Sequence, residues 1–263
     1  MKRDQELIER LQRHNIKGVI FDFDGVLLDV REPLHEAVTE VFNKRSINAN
    51  MDVSLQEIGA ILESVQGYPM SQIILQSYSI FKYVTVLENY RLLKKLRIAI
   101  EIFSKYQEFS KEAKFHIGSK LLLETLSKHC DLFIISHNIT ESILRHLRRE
   151  ELESYFLDIY GQDKLPALKP DPASVEPPLN HYKSYDREDF IVIGDMPTDI
   201  EAGKKAGFWT IGVSSGLCTR ELLAEYEPDL LLESIADILP LLGVDTGRIT
   251  KSQAHEKLKT ESL

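Results

Sequence analysis

The stretch "FIVIGDMPTDIEAGKKAGFWTIGV" (residues 190–213) decides the fold. It opens on one short apolar run, "FIVIG" (190–194), and ends on another, "WTIGV" (209–213). Between them "DIEAGKKAG" reads as a helix stopped by Gly207. Brief runs rich in β-branched residues and bounded by glycine or polar residues fit strands covered on both faces, and such parallel strands need a helical crossover. Two similar runs lie upstream. "LFIIS" (132–136) is followed by "ESILRHLRREEL", whose Ile143, Leu144 and Leu147 form a helical stripe, and "VIFDFD" (19–24) comes before both. The series is βαβ, so the expected fold is α/β, a doubly wound parallel, Rossmann-like sheet.

Residues 30–115 break that rhythm. "LHEAVTEVFNKR" and "YRLLKKLRIAIEIFSKYQEF" are helical patterns without a convincing strand, interrupted by "QGYP" at 66–69. An all-helical cap at 30–115 is therefore expected over the strand ends of a core made of 1–29 and 116–246. Arg91, Lys94 and Lys95 fall on one helical face and read as a solvated surface. The polar segment 247–263 is expected to fray.

Composition narrows the function. The chain has 263 residues, 43% of them hydrophobic, enough to bury a core without staples. Two cysteines, Cys130 and Cys218, have neither the number nor the spacing of a disulfide framework or a zinc site. A net charge of -9 argues against a nucleic-acid partner. No run approaches the ~18 apolar residues of a membrane span, and the charged start "MKRDQELIER" lacks a signal-peptide core. The expectation is a cytoplasmic protein, monomer or homodimer, acting on a small molecule.

"KGVIFDFDGVLLD" (17–29) places two carboxylates at the end of a strand. In extended backbone Asp22 and Asp24 point one way, Phe21 and Phe23 the other. An unpaired buried carboxylate costs several kcal/mol or takes up a proton, so the pair needs a cause. A solvated strand end or a helix cap would explain Asp-X-Asp alone. A hard divalent cation explains it together with Gly25, which lets the backbone turn sharply beside an anion. Asp195 and Asp199, after "IVIG", form a second acidic cluster at another strand end, where ligands of such sheets gather. Four acidic groups in one place call for a cation, and magnesium suits oxygen ligands better than zinc.

"DFDGVLLD", "LFIISHN", "LKPDP" and "GDMPTDIEAGKKAGFWTIGV", in that order, resemble the four motifs of the haloacid dehalogenase superfamily, in its phosphoglycolate phosphatase-like branch with a helical cap. The resemblance covers about residues 17–243. It implies a magnesium-dependent phosphatase of a small phosphorylated metabolite, of the phosphoglycolate or sugar phosphate class. It makes Asp22 the nucleophile that becomes an aspartyl-phosphate and Asp24 the acid and then the base. Mg2+ would be held by Asp22, Asp195 and the Asp24 carbonyl, with Asp199 as a ligand or just behind one. Ser136, the amide of His137, Asn138 and the start of the next helix would bind phosphate with Gly25 alongside, and Lys169 would neutralise charge. Asn138 and Glu141 have the spacing of a capping box, which suits an anion site.

His137 stands where Thr, Ser or Asn commonly follows the motif serine, and reads either as a substrate contact or as a space-filler. Val30 and Arg31 replace a small polar residue and its neighbour, which touches hinge contacts and not the chemistry. Gln66, Gly67 and Tyr68 are the expected cap residues for substrate choice, although Gly-X-Pro is also ordinary turn chemistry. A phosphomutase shares all four motifs and is the alternative; a non-catalytic protein on the same fold would not need every motif carboxylate. Asp24 argues against dehalogenase chemistry, and no Schiff-base lysine of the phosphonate-cleaving type is evident in the cap.

Overall fold

A computed structural model describes residues 3–51, 53–55, 57–59, 85–88 and 90–246, and at its centre lies β1 (Gly18–Phe21). Gln66, Gly67, Tyr68 and the segment 247–263 lie outside the described residues. β1 is flanked by β2 (Asp131–Ile135) and β4 (Phe190–Gly194), both parallel to it. β3 (Asp158–Tyr160) pairs outside β2, while β5 (Trp209–Val213) and β6 (Leu230–Leu232) extend the other side. The result is a six-stranded parallel sheet of order β3-β2-β1-β4-β5-β6.

Register fixes what meets at the sheet edge. Phe21 pairs with Ile134 and with Ile193, so the chain leaves β1, β2 and β4 at one level. The strand order reverses direction between β1 and β4, which opens a crevice at their carboxyl ends.

Each central strand is buried on both faces because its residues alternate between two cores. Val19, Phe21, Ile191 and Ile193 join one cluster with Leu7 and Leu11 of α1 (Arg3–Gln12), Leu122 and Leu123 of α4 (Ser119–Leu126) and Ile143 and Leu147 of α5 (Thr140–Arg149). Ile20, Phe133 and Val192 face the other cluster, with Ala202 and Ala206 of α6 (Pro197–Ala206). Gly207 ends α6 with φ 78°, the left-handed value that glycine adopts without a Cβ clash. The short α7 (Arg220–Glu225) and α8 (Ile238–Leu241) complete the layers.

Between β1 and α4 the described chain is helical. Leu34, Val38 and Val41 line one face of α2 (Arg31–Arg45) and pack with Ile98 and Ile102 of α3 (Leu92–Phe109) in a cluster distinct from those of the sheet. Leu217 packs against both this cluster and the sheet core. Val30, a departure from the usual residue there, is buried in the sheet core and precedes the first turn of α2. Among the described residues no helix is long and apolar enough to cross a membrane.

Candidate active site

The site grows from the end of β1. Asp22 continues the ladder by donating its N–H to Ile193 O at 2.8 Å. The chain then turns tightly: Leu27 and Leu28 donate to Phe23 O, and Gly25 N donates to Leu28 O. Phe21 and Phe23 are buried in the core beneath, as alternation requires. Gly25 has φ 88°, and a Cβ there would lie 2.3 Å from Asp195 Oδ2, so both conformation and close approach demand glycine. Its carbonyl accepts from Ser215 Oγ at 3.2 Å and lies 3.1 Å from His116 Nε2.

Asp22, Lys169, Asp195 and Asp199 are all buried, each under 9% exposed, at the carboxyl edge of the sheet. The Lys169 ammonium donates to Asp22 Oδ1 at 2.6 Å, to Asp199 Oδ1 at 2.5 Å and to Ile135 O at 3.4 Å. Asp199 sits in the first turn of α6, and its other oxygen accepts from Met196 N at 3.1 Å. A Cβ at Gly194 would fall 2.1 Å from that of Asp199, so glycine at the end of β4 lets α6 start this close. Asp195 Oδ2 accepts from Leu217 N at 2.9 Å.

Three carboxylates thus face one ammonium. Oxygens of Asp22, Asp195 and Asp199 come within 4.8 Å of one another, close enough to share one ion. Burial raises the Asp22 pKa to about 7, Lys169 pulls against it and Asp199 adds to it. Burial, then Asp22 and Asp199, holds Asp195 well above the ordinary carboxylate range. Burial opposes the Lys169 charge, but Asp199 and Asp22 outweigh it and keep the ammonium protonated. An all-oxygen, desolvated carboxylate cluster that holds protons for want of further positive charge fits a hard divalent cation.

The loop after β2 closes the other side. Ser136 is buried, donates its N–H to Tyr160 O and accepts Asn138 N–H on its hydroxyl oxygen at 3.0 Å. Asn138 Nδ2 reaches across to Asp24 Oδ2 at 3.1 Å. His137 Nε2 accepts the backbone N–H of Lys169 at 3.1 Å. Burial, with a further push from Lys169, drives the His137 imidazole down to about 3.

The helix start after this loop differs from the spacing-based expectation. α5 begins at Thr140, and Asp163 caps it from a distant loop, accepting from both Thr140 N at 2.7 Å and Thr140 Oγ1 at 2.9 Å. No Asn138–Glu141 capping box forms: the Asn138 side-chain Oδ1 accepts from Ile139 N and its Nδ2 donates to Asp24. A longer-range carboxylate wins the first helical amide, so that amide is not available to an anion.

The Leu217 amide, the close approach of Gly216 and the Asp163 cap were not read from the sequence. "SSG" after "WTIGV" carried the available signal, small residues at the carboxyl edge of a strand of the same sheet.

Comparison with known proteins bears on the fold and the family. The chain is 36% identical over 111 residues to the pyrophosphatase PpaX of Listeria welshimeri, an alignment that covers 42% of this chain and 51% of that protein. The chain thus spans about half the length of the Listeria relatives it matches. It is 27% identical over 240 residues to a phosphoglycolate phosphatase of Salmonella typhi, covering 88% of this chain and 94% of the relative. A haloacid dehalogenase-like family protein of Streptococcus pneumoniae shares the fold with a TM-score of 0.59 at 21% identity, covering 86% of this chain and 98% of that one. The sequence pattern of the haloacid dehalogenase-like hydrolases matches residues 19–213, from β1 through β5 and every carboxylate of the site, and the chain belongs to that family.

Proposed function

We propose that this protein is a magnesium-dependent phosphatase that hydrolyses a small phosphorylated metabolite through an aspartyl-phosphate on Asp22. The observation that carries the reading is the buried Lys169 ammonium bridging Asp22 and Asp199, with Asp195 close enough to complete a cation site. Relatives named as a pyrophosphatase and a phosphoglycolate phosphatase support a small phosphorylated substrate. In this reading segment 30–115 serves as a cap over the strand ends, and Gln66, Gly67 and Tyr68 select the substrate.

Phosphate monoesters react extremely slowly unaided, and a covalent intermediate divides the barrier. Asp22 attacks phosphorus with the oxygen not held by Lys169, and the bond to the leaving oxygen breaks. Asp24 gives that oxygen its proton and then takes one from the water that cleaves the acyl phosphate. The Ser136 oxygen already accepts from Asn138 N–H, which leaves its O–H to donate to a phosphoryl oxygen. Lys169 offsets charge on Asp22 and on the phosphoryl group. Asp22, Asp195, the Asp24 carbonyl and, in first or supporting position, Asp199 would hold magnesium, which when bound would offset charge on the phosphoryl oxygens in flight.

The deciding test is Asp22→Asn assayed against an aryl phosphate, with protein shown free of host phosphatase. Activity should vanish while the melting profile stays cooperative; wild-type turnover in that variant would overturn the covalent route. A panel holding phosphoglycolate, sugar phosphates and pyrophosphate, repeated on Tyr68→Ala, identifies the substrate class. Free phosphate as product supports hydrolysis, whereas an isomerised sugar phosphate identifies a mutase.

A further inference from the structure

The catalytic roles proposed above use the Lys169 ammonium but leave open what fixes the other end of that residue. A lysine side chain is long and has many rotamers, so three acceptors at its tip do not by themselves hold its backbone in place. Lys169 lies in a loop with no strand to carry it, between β3 and β4. Its backbone N–H points to His137 Nε2 at 3.1 Å. His137 follows Ser136 at the end of β2, one of the strands that flank β1 and Asp22.

We infer that His137 is a positioning residue for the phosphoryl-transfer site: its Nε2 accepts the Lys169 amide and so sets the distance from the Lys169 ammonium to Asp22 and Asp199. The inference rests on the phosphatase reading of this site. Of the readings left open by the sequence, a substrate contact through Nε2 is excluded, because that nitrogen already accepts the Lys169 amide.

The chemistry of the ring agrees. An imidazole accepts only through an unprotonated nitrogen, so Nε2 as acceptor puts the proton of neutral His137 on Nδ1. Burial and the nearby ammonium both favour the neutral ring, the form in which Nε2 can accept. The serine, the histidine and the asparagine of "SHN" then have separate tasks: Ser136 is left to donate, His137 holds Lys169 and Asn138 holds Asp24.

Two variants separate an acceptor from a space-filler. His137→Leu keeps bulk and removes the acceptor, and His137→Gln restores an acceptor at similar reach. With an aryl phosphate and magnesium, His137→Leu should lose about 10- to 100-fold in kcat with KM changed by less than about threefold, the signature of a misplaced charge and not of lost substrate binding. His137→Gln should recover most of that loss. Equal loss in both variants, wild-type kcat in His137→Leu, or an effect mainly on KM would each overturn the assignment. Side-chain 15N spectra of the wild-type protein give a second readout that needs no turnover. Protonated Nδ1, unprotonated Nε2 and a correlation from Nε2 to the Lys169 amide are expected; a protonated Nε2 would refute the inference even if the protein proved not to be a phosphatase. A wild-type protein that turns over no phosphate ester while showing that correlation would instead count against the phosphatase reading alone.

Discussion

Asn138 donates its side-chain N–H to Asp24 Oδ2 at 3.1 Å, so a residue from the loop after β2 orients the second carboxylate of the loop after β1. If Asp24 carries the proton to and from the leaving group, its worth depends on how badly that group needs protonation. Asp24→Asn should lower kcat by about 10² to 10⁴ for an alkyl phosphate, and by clearly less for p-nitrophenyl phosphate, whose leaving oxygen is already weakly basic. Asn138→Ala, which loosens the carboxylate without removing it, should cost about tenfold. Equal losses on both substrates would show that Asp24 does not act as the acid.

The carboxylate cluster makes a prediction about stability that needs no substrate. Asp22 in the folded protein keeps a proton up to about pH 7, and Asp195 also titrates well above its ordinary range. Unfolded, both would have released it near the usual carboxylate values, so the folded state binds more protons and stability falls as pH rises through the folded pKa. His116, His137 and His146, all lowered by burial, act the other way below about pH 6.5, where the unfolded chain protonates them and the folded one does not. The carboxylates are therefore isolated above that point. In chelator the melting temperature should drop between about pH 6.5 and pH 8. Asp195→Asn should flatten the drop, and magnesium should remove it. A metal-free melting temperature that climbs over this window would contradict the burial of three carboxylates against one ammonium.

Metal choice is the third prediction. Activity should disappear in chelator and return with magnesium. Calcium, whose larger and more irregular oxygen shell misplaces an in-line attack, should compete and inhibit. Full turnover in chelator would be incompatible with the roles proposed for Asp195 and Asp199.

The four central strands were legible because each is a continuous apolar run: "FIVIG" and "WTIGV" coincide with β4 and β5, and "VIF" and "LFII" fall within β1 and β2. β3 and β6 were not singled out. Each has only three residues at a sheet edge and is partly exposed: β3 opens on Asp158, and the Leu230–Leu232 run of β6, though apolar, is too short to stand out from helical sequence. The meeting of Asp22, Asp195 and Asp199 was also legible, because Asp22 and Asp195 follow strand ends whose adjacency the βαβ pattern implies and Asp199 lies in the helix turn just beyond. Asp24, expected as a fourth member, stands outside that group of three and accepts from Asn138 Nδ2. The supporting contacts were not. The Asp163 cap on α5, the Leu217 amide on Asp195 and the His137 bond to Lys169 join segments far apart in sequence, and a backbone donor leaves no trace in residue type. Local spacing at Asn138 and Glu141 even pointed elsewhere, and tertiary geometry overrode it.

Gly216 offers the sharpest steric test of where Asp195 lies. A Cβ at Gly216 would sit 1.8 Å from Asp195 Oδ2, the same oxygen that accepts from Leu217 N at 2.9 Å. The clash is with the carboxylate itself, close to the backbone, and not with the end of a side chain free to swing aside. Gly216→Ala must therefore push the 214–217 loop or the Asp195 carboxylate out of place, at a cost of about 1–3 kcal/mol in stability. Because Asp195 is a proposed ligand, the magnesium concentration for half-maximal activity should rise and kcat should fall by at least about tenfold, as for any displaced catalytic group. Gly243→Ala is the matched control. Gly243 has φ 75° and nothing within 4 Å of its missing Cβ, so alanine there brings strain of about 1 kcal/mol or more but touches no site residue. It should lower the melting temperature and leave magnesium dependence unchanged. If Gly216→Ala showed the same pattern as Gly243→Ala, a loss of stability with wild-type metal dependence, Asp195 would not stand beside this loop in the working enzyme.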